Sequence, residues 1–266
     1  MEPKTIKIAL WHVIVLISAL LMWGGAAQVH FSSVTGVSVQ IPSFGAFLML
    51  TSMLGIGFIL FRQMAWLWVL TVSAIVGGLF ILQFGPSWLN LTGAGIFLAF
   101  CYEASNRTGR EVDERLKINI SAFLWRGLLP IVLGLFVLVS FAAYQSPLAD
   151  QIKESGRLPS QTTVFFGDLI NKAIVNKVGP ADAASRQEEV SQIVNQTYAD
   201  VNNFLKPYFR YAPPILAFAL FLILWGLSWP VSAIAVLVGM IWFWILKKVG
   251  VVKIGERDIK AETLIV

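Results

Sequence analysis

The stretch PPILAFALFLILWGLSWPVSAIAVLVGMIWFWIL, residues 213–246, decides the fold, because no charged side chain interrupts it from end to end. As one helix it is about 50 Å long, against roughly 30 Å for the hydrocarbon core of a bilayer. A single straight crossing then needs more tilt than the ~40° that spanning helices reach. WGLSWP, residues 225–230, offers a turn: Trp rings suit an interface, and Pro230 suits the first turn of a new helix. Trp242 and Trp244 then mark the opposite interface. The stretch is read as a pair of short spans, 213–247, followed by a polar tail, 248–266.

The rest of the chain has the same character. Hydrophobic residues are 57% and charged residues 13% of the whole, whereas soluble domains sit near half and a quarter. The net charge of +5 does not point to nucleic acid, because the basic residues scatter around apolar segments instead of forming one stripe. Positive charge at the cytoplasmic ends of spans explains it. The single cysteine, Cys101, excludes an intrachain disulfide framework.

Five apolar runs precede the opening one, each near the length of a membrane crossing: residues 8–27, 44–61, 65–84, 87–102 and 128–144. The fourth is the weakest, diluted by Asn90, Thr92, Gly93 and Gly95, and the fifth carries Pro130, read as lying in its first turn. The expected fold is therefore all-α, a polytopic helical bundle of about seven spans. A four-helix block fills 1–102, a cytoplasmic amphipathic helix 103–127, the fifth span 128–144, and an extracytoplasmic helical hairpin 145–212. Small-xxx-small pairs at Ser73/Gly77, Ala74/Gly78 and Thr51/Gly55 suit close helix approach.

Orientation follows from the short connections. Lys4 and Lys7 precede the first run, Arg62 lies between the second and third, and Arg107, Arg110, Arg115, Lys117 and Arg126 follow the fourth. The connections at 28–43 and 85–86 hold no Lys or Arg. The expected location is the cell membrane, with a cytoplasmic N-terminus and an uncleaved first helix. One conflict stands: seven spans put the tail outside, yet Lys247, Lys248, Lys253, Arg257 and Lys260 belong inside. Six spans satisfy the charges and leave the overlong run.

Two polar segments carry patterns of their own. In NRTGREVDERLKINISAFLWRG, 106–127, Thr108 and Glu111 have capping-box spacing, and Val112, Leu116, Ile120, Phe123 and Leu124 share a helical face. The reading is a helix in the membrane interface, apolar face down. In the outer segment, Gly179-Pro180 separates two helical patterns, and Ser185/Glu188 cap the second. There Val190, Val194, Thr197, Val201 and Phe204 step by four and three, a seam for a neighbouring helix.

Catalytic chemistry is hard to assemble. Membrane enzymes and transporters carry ionisable groups inside spans, and here only His12 and Glu103 come near. Glu103 with Arg107 and Arg110 is the one cluster that a lipid-directed enzyme has available. His30 has no second ligand at metal spacing, so neither metal nor cofactor is expected. The expectation is a non-enzymatic scaffold or accessory subunit in the bilayer. Its protein partner docks on the outer hairpin through Val190, Val194, Val201 and Phe204, or on the cytoplasmic helix through Val112, Leu116 and Phe123. The alternative is a channel or transporter for a small or apolar solute, with Asn90 and Thr92 on the polar path.

Overall fold

The computed structural model describes residues 3–28, 41–114, 119–145, 192, 194–197, 199–204 and 206–252. Among these there is no strand, and seven long helices form an all-α membrane bundle: α1 (Pro3–Gln28), α2 (Ile41–Leu60), α3 (Ala65–Phe84), α4 (Trp88–Glu114), α5 (Ile120–Tyr144), α6 (Ala212–Gly226) and α7 (Ser228–Lys248). Five of them contain a stretch long and apolar enough to cross a bilayer, and Pro213–Gly226 is a shorter apolar helix.

α5 is the hub, packed against α2, α4, α6 and α7, while α1 closes the far side against α2 and α3. Apolar attraction does little inside lipid, so packing and interhelical hydrogen bonds decide which faces meet. α1 uses its tryptophans for this. Trp11 Nε1 donates to Met53 O of α2 and Trp23 Nε1 to Val76 O of α3, both at 3.1 Å and buried. α7 is tied by Ser52 Oγ of α2, which donates to Ala235 O at 2.8 Å.

Two of the three small-residue pairs are contact points. Gly77 faces Ala94 of α4 and Gly55 faces Leu124 and Leu128 of α5, whereas Gly78 faces open space. Another close approach is at Gly57, a position read past in the sequence. A Cβ there meets the Trp68 indole, which is 2% exposed. α3 and α4 are joined by a tight turn at Gly85, whose φ of 90° is left-handed and favours glycine.

The polar passage 103–127 is organised differently from the expected interfacial helix. α4 does not end at Tyr102: its hydrogen-bonded backbone runs on unbroken to Glu114. Thr108 and Glu111 are therefore mid-helix residues, both buried, and not a cap. α5 in turn starts early, at Ile120, where the Asn119 side chain accepts from Ala122 N at 3.2 Å. Pro130 consequently lies inside α5 and not in its first turn. The two halves of the passage are the ends of two antiparallel helices that cover each other, with Thr108 lying over Gly127.

The long apolar stretch breaks where WGLSWP puts the break, at Leu227. The chain bends there and does not turn back. Leu227 keeps right-handed helical angles (φ −85°, ψ −5°). Helical hydrogen bonds continue on both sides of it, Leu227 N to Ile223 O and Val231 N to Leu227 O, each 3.1 Å. α6 and α7 touch only at this joint. Pro230 supplies the cause: it has no N–H for the Gly226 carbonyl, and its ring pushes that carbonyl aside. α6 packs on the Tyr144 end of α5 and runs toward the other end, where Trp229, in the first turn of α7, meets Trp125 edge-on at 6.0 Å.

Candidate functional site

Three hydroxyls of the bundle are turned back on their own helices. Thr51 donates to Phe47 O, Ser140 to Phe136 O and Thr92 to Trp88 O, each four residues upstream at 2.7–2.9 Å. Thr92 is exposed on the outside of α4. Asn90 is fully buried and works differently. Its amide donates to Gly85 O at 2.7 Å and Phe84 O at 3.3 Å. It also pairs reciprocally with Gln145: Gln145 Nε2 donates to Asn90 Oδ1 at 2.5 Å, and Asn90 Nδ2 to Gln145 Oε1 at 3.3 Å. One amide thus fastens the α3–α4 turn to the end of α5. Asn90 bonds a neighbouring helix, the reading preferred from the sequence, and it shares no common space with Thr92 such as the alternative of a polar path needs.

Gln145 carried no weight in the sequence reading. The signal was available in the span ends, since a run ending at Tyr144 and one beginning near Ser87 finish on the same side and leave both amides at one level.

His12 sits between α1 and α3. Its Nδ1 is 2.8 Å from Ile8 O and its Nε2 2.9 Å from Thr71 Oγ1, with the ring edge-on to Trp68 at 4.9 Å. A carbonyl can only accept, so Nδ1 carries a proton and donates to Ile8 O. The histidine is held in a packed polar contact.

Glu103 and Arg107 form a 2.7 Å ion pair at i,i+4 spacing, each 48% exposed, which leaves the cluster with Arg110 as a pair along one helix surface. Glu111 is 7% exposed and lies 3.4 Å from Arg126 of α5, whose side chain is 65% exposed. That contact joins the two helix ends outside the apolar core. The described residues hold no group of three or more His, Cys, Asp or Glu placed to bind a metal.

Of the residues read as partner contacts, Phe123 is buried inside the bundle and Val112 is half-buried on α4. They belong to different helices and are not one face. In the segment 192–204 Val194 is buried, Val201 half-buried and Phe204 72% exposed. The Phe204 ring lies 6.3 Å from that of Tyr208, and Tyr208 and Tyr211 are exposed too. The seam is thus covered at one end and opens at the other into an aromatic patch just ahead of α6. Val190, Leu116 and His30, and most of the hairpin around 145–191, lie outside the described residues.

Compared with family models, with curated proteins and with solved structures, the chain matches none.

Proposed function

We propose that this protein is a non-enzymatic, multi-pass component of the cell membrane, a scaffold or accessory subunit that meets a protein partner on the outer side. The observation that carries the reading is the open aromatic end of the outer seam, Phe204 with Tyr208 and Tyr211. Exposed aromatic rings at the end of a helical seam are the type of surface that a partner helix covers. The membrane part suits a supporting role, since Ser52, Asn90 and Gln145 hold helix to helix.

The proposed orientation has a cytoplasmic N-terminus and six crossings, with α6 and α7 together making the last one. Lys247 and Lys248 then share a side with Arg62, Arg107 and Arg126, and the conflict between tail charge and span length disappears. A bend relieves the excess length by letting α7 run obliquely.

Two experiments test this. A topology reporter fused after Val266 is expected to read cytoplasmic; an outside reading removes the six-crossing orientation. A photoreactive side chain at position 204 is expected to give one protein adduct in intact membranes, absent when the probe stands at Leu16 on the outer face of α1. No protein adduct at position 204 sinks the scaffold reading.

A further inference from the structure

We infer that the end of α7 binds the phosphate headgroup of an anionic phospholipid through Lys247 and Lys248. Leu237, Ile241, Trp244 and Lys248 step by four, three and four along α7, so they lie on one face of the helix. All four are exposed, the first three by 56%, 59% and 60%. Along that face the chemistry runs from aliphatic carbon through an indole to an ammonium. A phospholipid standing beside the helix offers the matching order, from acyl chain through ester to phosphate. The Lys248 ammonium lies 5.1 Å over the Trp244 ring, which holds the cation at the level of the interface.

Neither lysine is needed at the helix end itself. Val249 N–H donates to Ile245 O at 2.9 Å, Val251 N–H to Leu246 O at 3.0 Å and Gly250 N–H to Lys247 O at 3.1 Å, so backbone donors meet the last carbonyls. Gly250, with a φ of 80°, makes the turn that brings these donors back. Nor do the packed helices supply a carboxylate. α7 packs on α2 and α5 and meets α6 at the joint, and none of these four helices contains Asp or Glu. From Val201 to Gly255 the chain has no acid at all. Two adjacent cations on an exposed face take their counter-charge from elsewhere, and at the end of a membrane helix the anion at highest density is lipid phosphate. The phosphate of phosphatidylcholine carries its own ammonium, which leaves a headgroup of net negative charge as the match. The site involves α7 alone and works on whichever side of the membrane that end lies.

The test uses the full chain in vesicles of phosphatidylcholine and phosphatidylglycerol, with the same photoreactive acyl chain carried by each lipid in turn. Adducts to residues 237–252 are expected to favour phosphatidylglycerol. Lys248→Gln is expected to lower the phosphatidylglycerol adducts about fivefold, the worth of one cation near an anionic surface. Adding Lys247→Gln lowers them to the phosphatidylcholine level. Lys248→Arg keeps the preference, and Lys206→Gln, which removes one exposed charge ahead of α6, leaves it unchanged. Equal labelling of α7 by the two lipids, or labelling insensitive to both glutamines, overturns the proposal. So does loss of the preference when free glycerol phosphate is added at constant ionic strength, which makes the site one for a soluble phosphate. A carbodiimide crosslink from either lysine to Glu256 or Asp258 in the same vesicles overturns it too, since the tail is then the counter-ion.

Discussion

α2 and α7 are both apolar helices of about twenty residues, yet 67% of the core stretch of α2 is buried in the protein and only 28% of that of α7. α6 sharpens the contrast: more apolar on average than α5, it turns Ile215, Phe218, Leu222 and Ile223 outward. Hydropathy therefore tells that a helix lies in the membrane and not whether it lies in the bundle. What separates them is the chance to come close. α2 has Gly55 under two leucines, Gly57 under an indole and Ser52 reaching a carbonyl. α6 offers Ala217 and little else.

The contrast can be broken by truncating one aromatic ring in each region. Phe97→Ala empties a fully buried site on α4 and is expected to cost about 3 kcal/mol. Phe218→Ala removes a ring that is 63% exposed and is expected to cost a few tenths at most. Thermal melts of the two variants in one mild detergent check this, and equal losses sink the distinction.

Gly57→Ala comes next, at about 1–3 kcal/mol, because the added methyl must displace the Trp68 indole, a rigid group with no room to move. Gly78→Ala on α3 faces open space and is expected to leave the melting temperature unchanged.

Asn90→Leu is expected to cost about 1–2 kcal/mol, since Gly85 O, Phe84 O and Gln145 all lose a partner. A double-mutant cycle with Gln145→Leu isolates the amide pair, for which about 0.6 kcal/mol is expected by analogy with other interhelical bonds in membranes. A coupling of zero means that the turn, and not α5, is what Asn90 holds.

Glu111→Gln is expected to cost about 1 kcal/mol, because the amide keeps the shape of the buried side chain and Arg126, 65% exposed, stays solvated. Raising the salt concentration in the melt is expected to shrink even that difference.

How much of this was legible follows from the range of each interaction. The run at 65–84 matches α3 because its edges, Arg62 and Gly85-Pro86, are local. WGLSWP marked a break correctly for the same reason. The direction taken after the break was not local, since α7 is held by Trp125 and Ser52, both more than 100 residues away in sequence. Thr108 and Glu111 misled in the opposite sense: their spacing is that of a cap, but a helix already running through them leaves no N–H to cap. The role of Asn90 waited on Gln145, 55 residues away.

α4 has a mechanical consequence. Its 27 residues make a rod about 40 Å long, and its last turns are clasped by the first turns of α5 through Thr108, Gly127 and the Glu111–Arg126 contact. Helices joined in this way lean together: a tilt of about 10° around the Trp88 end carries the Glu114 end roughly 7 Å sideways, and the start of α5 has to follow it.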